Sequence, residues 1–199
     1  MKRIAINCSH ICRRSLLSKA FSAMTGLHFI ESIPYSIIAY QYKLIIDKSK
    51  CQWPDTFTYC LEAFTRKIMI EQKFDDRYIS NGGVFSEISW LKYKYSQELN
   101  NEMSMIENLE KVIMNYASNE YDYIFHIDSK EADVFDQCLR KLYDFYDLKH
   151  YLIDDSDDES ALHQMLGHLQ VKPVLSAKYA LLKFSDENHI YVNTHENSD

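Results

Sequence analysis

Apolar residues in this chain alternate between short continuous runs and helically spaced stripes, and the alternation lays out the elements. Arg3–Asn7 is a short apolar run of the kind that suits a buried parallel strand. Leu16, Leu17, Ala20, Phe21 and Met24 then follow at helical spacing over Ser15–Met24, and Thr25-Gly26 stops that helix. His28–Glu31 reads as a second strand, and Ser36–Tyr42 as a short helix after Pro34. Lys43–Cys51 is polar and reads as a loop. Pro54, at a first helical position, opens a helix to about Gln72 with Phe57, Leu61, Phe64 and Ile68 inward. Arg77–Ser80 is a third short strand. The turn Asn81-Gly82-Gly83 follows, then a helix presenting Val84, Ile88, Leu91 and Tyr95. Asn100 or Asn101 can cap the next helix, which carries Ile106, Leu109, Ile113 and Tyr116 inside. Tyr121–Ile127 is a fourth strand, and Glu131–Tyr146 a helix with Val134, Cys138, Leu142 and Phe145 inward. Lys149–Ile153 is a fifth strand and Asp158–Leu169 an amphipathic helix. Over Val171–Asp199 the pattern weakens, and Ile190–Val192 suits an added edge strand.

Strands alternating with helices predict an α/β fold in three layers, with a parallel sheet covered on both faces. We expect residues 1–170 to form this domain and residues 171–199 to pack on it as an extension. Ligands of such sheets sit at the carboxyl ends of the strands. That singles out Cys8–Ser15, Glu31–Pro34, Asn81–Gly83, Asp128–Lys130 and Asp154–Asp158.

The charge changes this picture by exclusion. With 29 acidic and 22 basic residues the chain carries −7, which argues against nucleic-acid binding. No apolar run is long enough to span a membrane, and no secretory leader precedes the first strand. Five irregularly spaced cysteines point to reduced thiols and a cytoplasmic location.

The turn after the first strand lies where a phosphate-binding loop, G-x-x-x-x-G-K-[ST], would lie. Cys8 and Arg13 stand at its two glycine positions, Arg14 at the lysine and Ser15 at the hydroxyl. Glycines there let backbone N–H groups close on phosphate, the lysine meets the β- and γ-phosphates, and the hydroxyl holds Mg²⁺. Only Ser15 matches; Arg14 keeps the charge, but its planar fork does not replace a compact ammonium. Cys8, His10 and Cys12 also form a C-x-H-x-C cluster that could hold zinc. Structural zinc sites use four ligands and wider turns, so loop residues are the simpler reading. Arg13 and Arg14 beside a helix N-terminus call for an anion, or else for acidic partners within the chain. A glutamate just after a strand, as Glu31 is, suits a solvated turn residue or a partner for an arginine. The acidic run from Asp154 to Glu159 lacks the spacing of a calcium loop and reads as an acidic helix start. His163 and His168 do not share a helix face.

The segments IAINCSH–SLLSKAF, TGLHFIESIPYSIIAYQY, RYISNGGVFSEISWLKYKY and YDYIFHID, in this order, resemble the P-loop nucleoside and nucleotide kinases. The nearest branch is that of ribosylnicotinamide-kinase-like ATP-binding proteins, and the likeness runs from Lys2 to about Leu169. It implies a five-stranded parallel sheet in the order 2-3-1-4-5, with ATP phosphates on the first helix N-terminus. Cys8, Ser9, His10, Cys12, Arg13, Arg14 and Ser15 would then line the nucleotide site with Asn81. Ser15 would be the magnesium-linked hydroxyl, and Glu31 and Arg14 the catalytic pair. Asn81 stands where the family has an aspartate. The arginine-bearing lid after the fourth strand is missing, because Asp128-Ser129-Lys130 runs straight into a helix and leaves Lys130 as its cation. Cradle, metal carboxylate and lid are thus all altered. We therefore expect a degenerate kinase that binds a nucleotide, a phosphate-like anion or a protein partner with little phosphotransfer. The alternatives are an active ATP- and Mg²⁺-dependent small-molecule kinase and a structural interaction protein with a closed-off site.

Overall fold

The structure is a computed structural model and describes residues 2–8, 10–42, 52–74, 77–95, 103–128, 134–154 and 157–193. The side chains of Cys12, Tyr35, Ser36 and residues 186–193 are not described. The expected loop Lys43–Cys51, the caps Asn100 and Asn101, Lys130 and the start of the helix expected from Glu131 lie outside the described residues. In chain order the elements are β1 (Lys2–Asn7), α1 (Ile11–Thr25), β2 (His28–Ile30), α2 (Tyr35–Tyr42), α3 (Trp53–Glu71), β3 (Arg77–Asn81) and α4 (Ser86–Tyr95). They continue with α5 (Met103–Glu120), β4 (Tyr123–Asp128), α6 (Val134–Phe145), β5 (His150–Asp154), α7 (Asp158–Leu169) and α8 (Ala177–Asn193).

The five strands are all parallel, in the expected order β2-β3-β1-β4-β5. Because side chains of a strand alternate in direction, the central strands β1, β3 and β4 each feed two cores. Ala5, Tyr78 and Ile124 pack under α3, α4, α5 and α6. Ile4, Ile6, Ile79, Phe125 and Ile127 pack under α1, α7 and α8. Gly26 ends α1 with φ 71°, the left-handed geometry that the Thr25-Gly26 stop predicts.

Four expectations are corrected. The turn expected over Cys8–Arg14 is only Cys8–His10, because α1 begins at Ile11. The edge strand expected at Ile190–Val192 is part of α8. Ala177 and Ala180 are buried, and Leu181 and Phe184 half-buried, in the core shared with α1 and α7; that helical stripe outweighs the local β-propensity of the tripeptide. In α3 the buried face is rotated from the expected one: Leu61 is 45% exposed, while Thr56, Tyr59, Cys60, Ala63, Lys67 and Glu71 are inside. In α6 Val134 and Phe145 are exposed, while Asp136, Leu139, Leu142 and Tyr143 are buried.

The rotation of α3 has an electrostatic cause. Glu71 accepts hydrogen bonds from Ser80 Oγ (2.5 Å), Tyr121 OH (2.9 Å) and Tyr116 OH (3.1 Å), with the buried Lys67 one turn away. Burial pushes the Glu71 carboxyl up in pKa, while Lys67 and the three hydroxyls pull it back. A buried carboxylate holds its place only when hydrogen-bonded and paired in this way.

Candidate functional site

The carboxyl ends of β1, β2 and β3 converge on a small polar cleft. Arg14, Ile33, Lys67, Asn81, Gly82 and Glu87 line it, and it has room for about 20 Å³, close to one water. Its backbone is Asn81-Gly82-Gly83, where both glycines are left-handed, with φ 86° and 56°. The Gly82 N–H donates to Ile6 O at 2.8 Å, which ties the turn to β1. A Cβ on Gly82 would stand 2.9 Å from Arg14 Cζ, so the bare glycine is what lets the guanidinium lie against the turn.

A chain of side-chain hydrogen bonds crosses the cleft. Arg14 Nε donates to Asn81 Oδ1 at 2.9 Å, and Asn81 Nδ2 donates to Glu31 Oε1 at 2.6 Å. Glu31 Oε2 lies 4.0 Å from Lys19 Nζ. Arg14 is only 6% exposed. Burial lowers its pKa, opposed first by the Glu87 carboxylate and then by Cys8 and Glu31. Glu87 is also hydrogen-bonded by Tyr59, whose phenol is pushed far up by burial and by that carboxylate.

Beneath this chain Lys67, 4% exposed, donates to Asn81 O at 3.1 Å and Glu31 O at 3.2 Å. One ammonium thus ties together the ends of β2 and β3. Burial brings its pKa down to about 8, although Glu71 opposes the fall. The hydrophobic pattern of α3 gave no sign of Lys67. Its signal was the Lys67–Glu71 spacing of four, which puts opposite charges on one helix face.

The remaining expected residues are dispersed. Arg13 turns the other way, and its Nε meets Asp158 Oδ1 at 2.6 Å on the first turn of α7. Ser15 is half-buried in the second turn of α1, beyond the free N–H groups of the helix start. His10 precedes α1 in an extended conformation, makes no side-chain cap, and is exposed. Cys8 is buried beside Leu17 and Phe21, and burial pushes its thiol pKa up. Ser9 and the Cys12 side chain lie outside the described residues, and no group of metal-ligating side chains forms among the described ones. At the end of β4, Asp128 is paired with Arg140 of α6, so Lys130 is not the sole cation there. Arg140 carried no sequence signal, since it reaches back from the second turn of the following helix.

Gly82→Ala is expected to cost about 1–2 kcal/mol from the left-handed backbone alone, with Arg14 displaced besides. Gly167→Ala, on α7 with no atom within 4 Å of the new Cβ, is expected to stabilise by about 0.5–1 kcal/mol. Urea unfolding of the two variants checks the contrast; equal midpoints would remove the role given to Gly82.

No protein-family profile matches the chain, and no curated protein matches its sequence. Among solved structures it is similar to a deoxyadenosine kinase from M. mycoides with bound dATP. The two share 15% identity with a TM-score of 0.58, over 85% of this chain and 100% of that one. The likeness is one of fold: the chain has the P-loop kinase fold. No described helix is long and apolar enough to cross a membrane.

Proposed function

We propose that this chain, built on the P-loop kinase fold, acts by binding and transfers no phosphoryl group at a useful rate. The observation that carries this reading is the start of α1 at Ile11, which leaves only Cys8–His10 between strand and helix. The backbone that would have to wrap a triphosphate is already helical. Arg13 and Arg14 point to Asp158 and Asn81, away from a common phosphate position. Within the cleft the charges of Arg14 and Lys67 face those of Glu31 and Glu87, so the site is close to neutral before any ligand arrives. As placed, these residues do not fit ATP with Mg²⁺: Ser15 stands past the helix start, and the Asn81 amide is engaged by Arg14 and Glu31. Phosphoryl transfer depends on positioning and charge stabilisation, and one lost donor costs about 2.7–4 kcal/mol. A phosphate-like anion at Arg14 and the two-glycine turn, or a protein partner, is the ligand this reading leaves.

Titration calorimetry of ATP with and without Mg²⁺ tests it. The expected affinity is weaker than about 1 mM in both cases, with no phosphate released or transferred. Micromolar, Mg²⁺-dependent binding would contradict it. A second reading, an active small-molecule kinase, draws support from Glu31, whose carboxylate lies at the cleft where an acceptor hydroxyl would need a general base. Turnover abolished by Glu31→Gln would establish that reading.

A further inference from the structure

We infer that the strand-end cleft takes one oxygen of an aliphatic carboxylate, held by the guanidinium of Arg14. This rests on the binding role proposed above and narrows its ligand. Arg14 is 6% exposed, and the one hydrogen bond of its guanidinium among the described residues runs from Nε to Asn81 Oδ1. The far end of the guanidinium lies against Gly82, where a Cβ would stand 3.1 Å from Nη1. Its terminal N–H groups therefore lie at the cleft with no acceptor among the described residues. A buried donor left in that state costs about 1–3 kcal/mol, and more when charged. The start of α4 adds to the demand, because Ser86 and Glu87 of its first turn line the same cleft and bring the positive end of the helix to it.

Size, charge and lining choose among the anions. With room for about 20 Å³, the cleft seats a single oxygen. A flat carboxylate puts one oxygen in and keeps the other at the mouth. A phosphoryl group, with three oxygens spread around its phosphorus, does not enter in this way. Glu31 and Glu87 already offset the charges of Arg14 and Lys67, so one further negative charge is tolerated better than two. Ile33, Ala63, Phe64 and Val84 give the cleft an apolar wall, which suits a short hydrocarbon chain behind the carboxylate. A small free acid and the carboxyl end of a peptide that closes on an apolar residue share this chemistry.

Proton–nitrogen correlation NMR of the full chain tests it, read at the Gly82 and Gly83 amides. Isobutyrate is expected to shift both, with a dissociation constant of about 1–10 mM. A peptide ending in Ala-Val, run with a free carboxyl end and as its amide, tells the two sources apart. Binding of the free form tighter than isobutyrate marks a protein terminus, and weaker binding marks a small acid. Arg14→Gln is expected to weaken isobutyrate at least about 10-fold. Gly82→Ala, whose Cβ displaces the guanidinium, is expected to do the same. Circular dichroism of both variants separates lost binding from lost folding. Shifts with inorganic phosphate and none with isobutyrate, or isobutyrate binding that survives Arg14→Gln, overturn the inference and leave the proposed function standing, since the ATP titration tests that apart. No shift with either anion means that water alone fills the cleft, and overturns it too.

Discussion

Glu71→Ala is expected to be among the most destabilising single substitutions in this chain, at about 3–5 kcal/mol. The carboxylate takes hydrogen bonds from Ser80, Tyr116 and Tyr121, and its charge faces Lys67. Removing it leaves three hydroxyls short of an acceptor and a buried ammonium without its nearest anion. For a chain of this size that loss lowers the thermal midpoint by roughly 10 °C. The double variant Lys67→Met, Glu71→Leu is expected to cost less than Glu71→Ala alone, because it removes the buried charges together and refills the space. Calorimetric melts of the three proteins check the order. A single-variant loss below about 1 kcal/mol would mean that the network is wet and not structural. The effect reaches the cleft as well, since Lys67 also holds the main-chain oxygens of Glu31 and Asn81.

The second large effect is one of pH. His126 is fully buried on β4, its Nε2 is 3.5 Å from Asp136 Oδ1, and neither ring nitrogen makes a hydrogen bond among the described residues. Burial first, then the charge of Arg140, lowers its pKa from 6.5 to about 4, against the opposing pull of Asp128. A histidine with a depressed folded-state pKa is held neutral. Its contribution is complete above the unfolded value of 6.5 and is lost as pH falls toward 4, because the unfolded chain takes the proton first. The shift corresponds to about 3 kcal/mol. Urea unfolding of wild type and His126→Phe between pH 8 and pH 4 isolates it: the difference should move in favour of the variant by about that amount. A difference constant with pH would place the imidazole in contact with water.

Much of the fold was legible because the strands are short apolar runs and the helices between them end on turn residues. Val84, Ile88, Leu91 and Tyr95 are all buried, as their spacing predicts. The strand order was legible only through resemblance, since spacing does not order strands. The misreadings of α3 and α6 share a cause. Hydrophobic pattern assumes that charged residues face water, and α3 buries Lys67 and Glu71 while exposing Leu61. A phosphate-loop pattern puts the start of α1 too late, whereas Asp158 offsets the charge of Arg13 beside the positive end of the helix. At the cleft, Glu31, Arg14 and Asn81 were singled out separately. That they form one hydrogen-bonded chain, seated on Lys67 and admitted by Gly82, depends on contacts between residues 14, 31, 67 and 81 that no local window contains.

The packing of α8 on α1 bears on how the chain is made. Ala177 and Ala180 share a core with Leu17, Phe21 and Met24, and the Val174 N–H donates to Met24 O at 2.8 Å. A ribosome delivers the first helix early and its cover more than a hundred residues later. For most of translation that side of the nascent protein stands open, so the layer closes only after synthesis has passed residue 180, and a stalled or shortened product would present the same apolar face to chaperones.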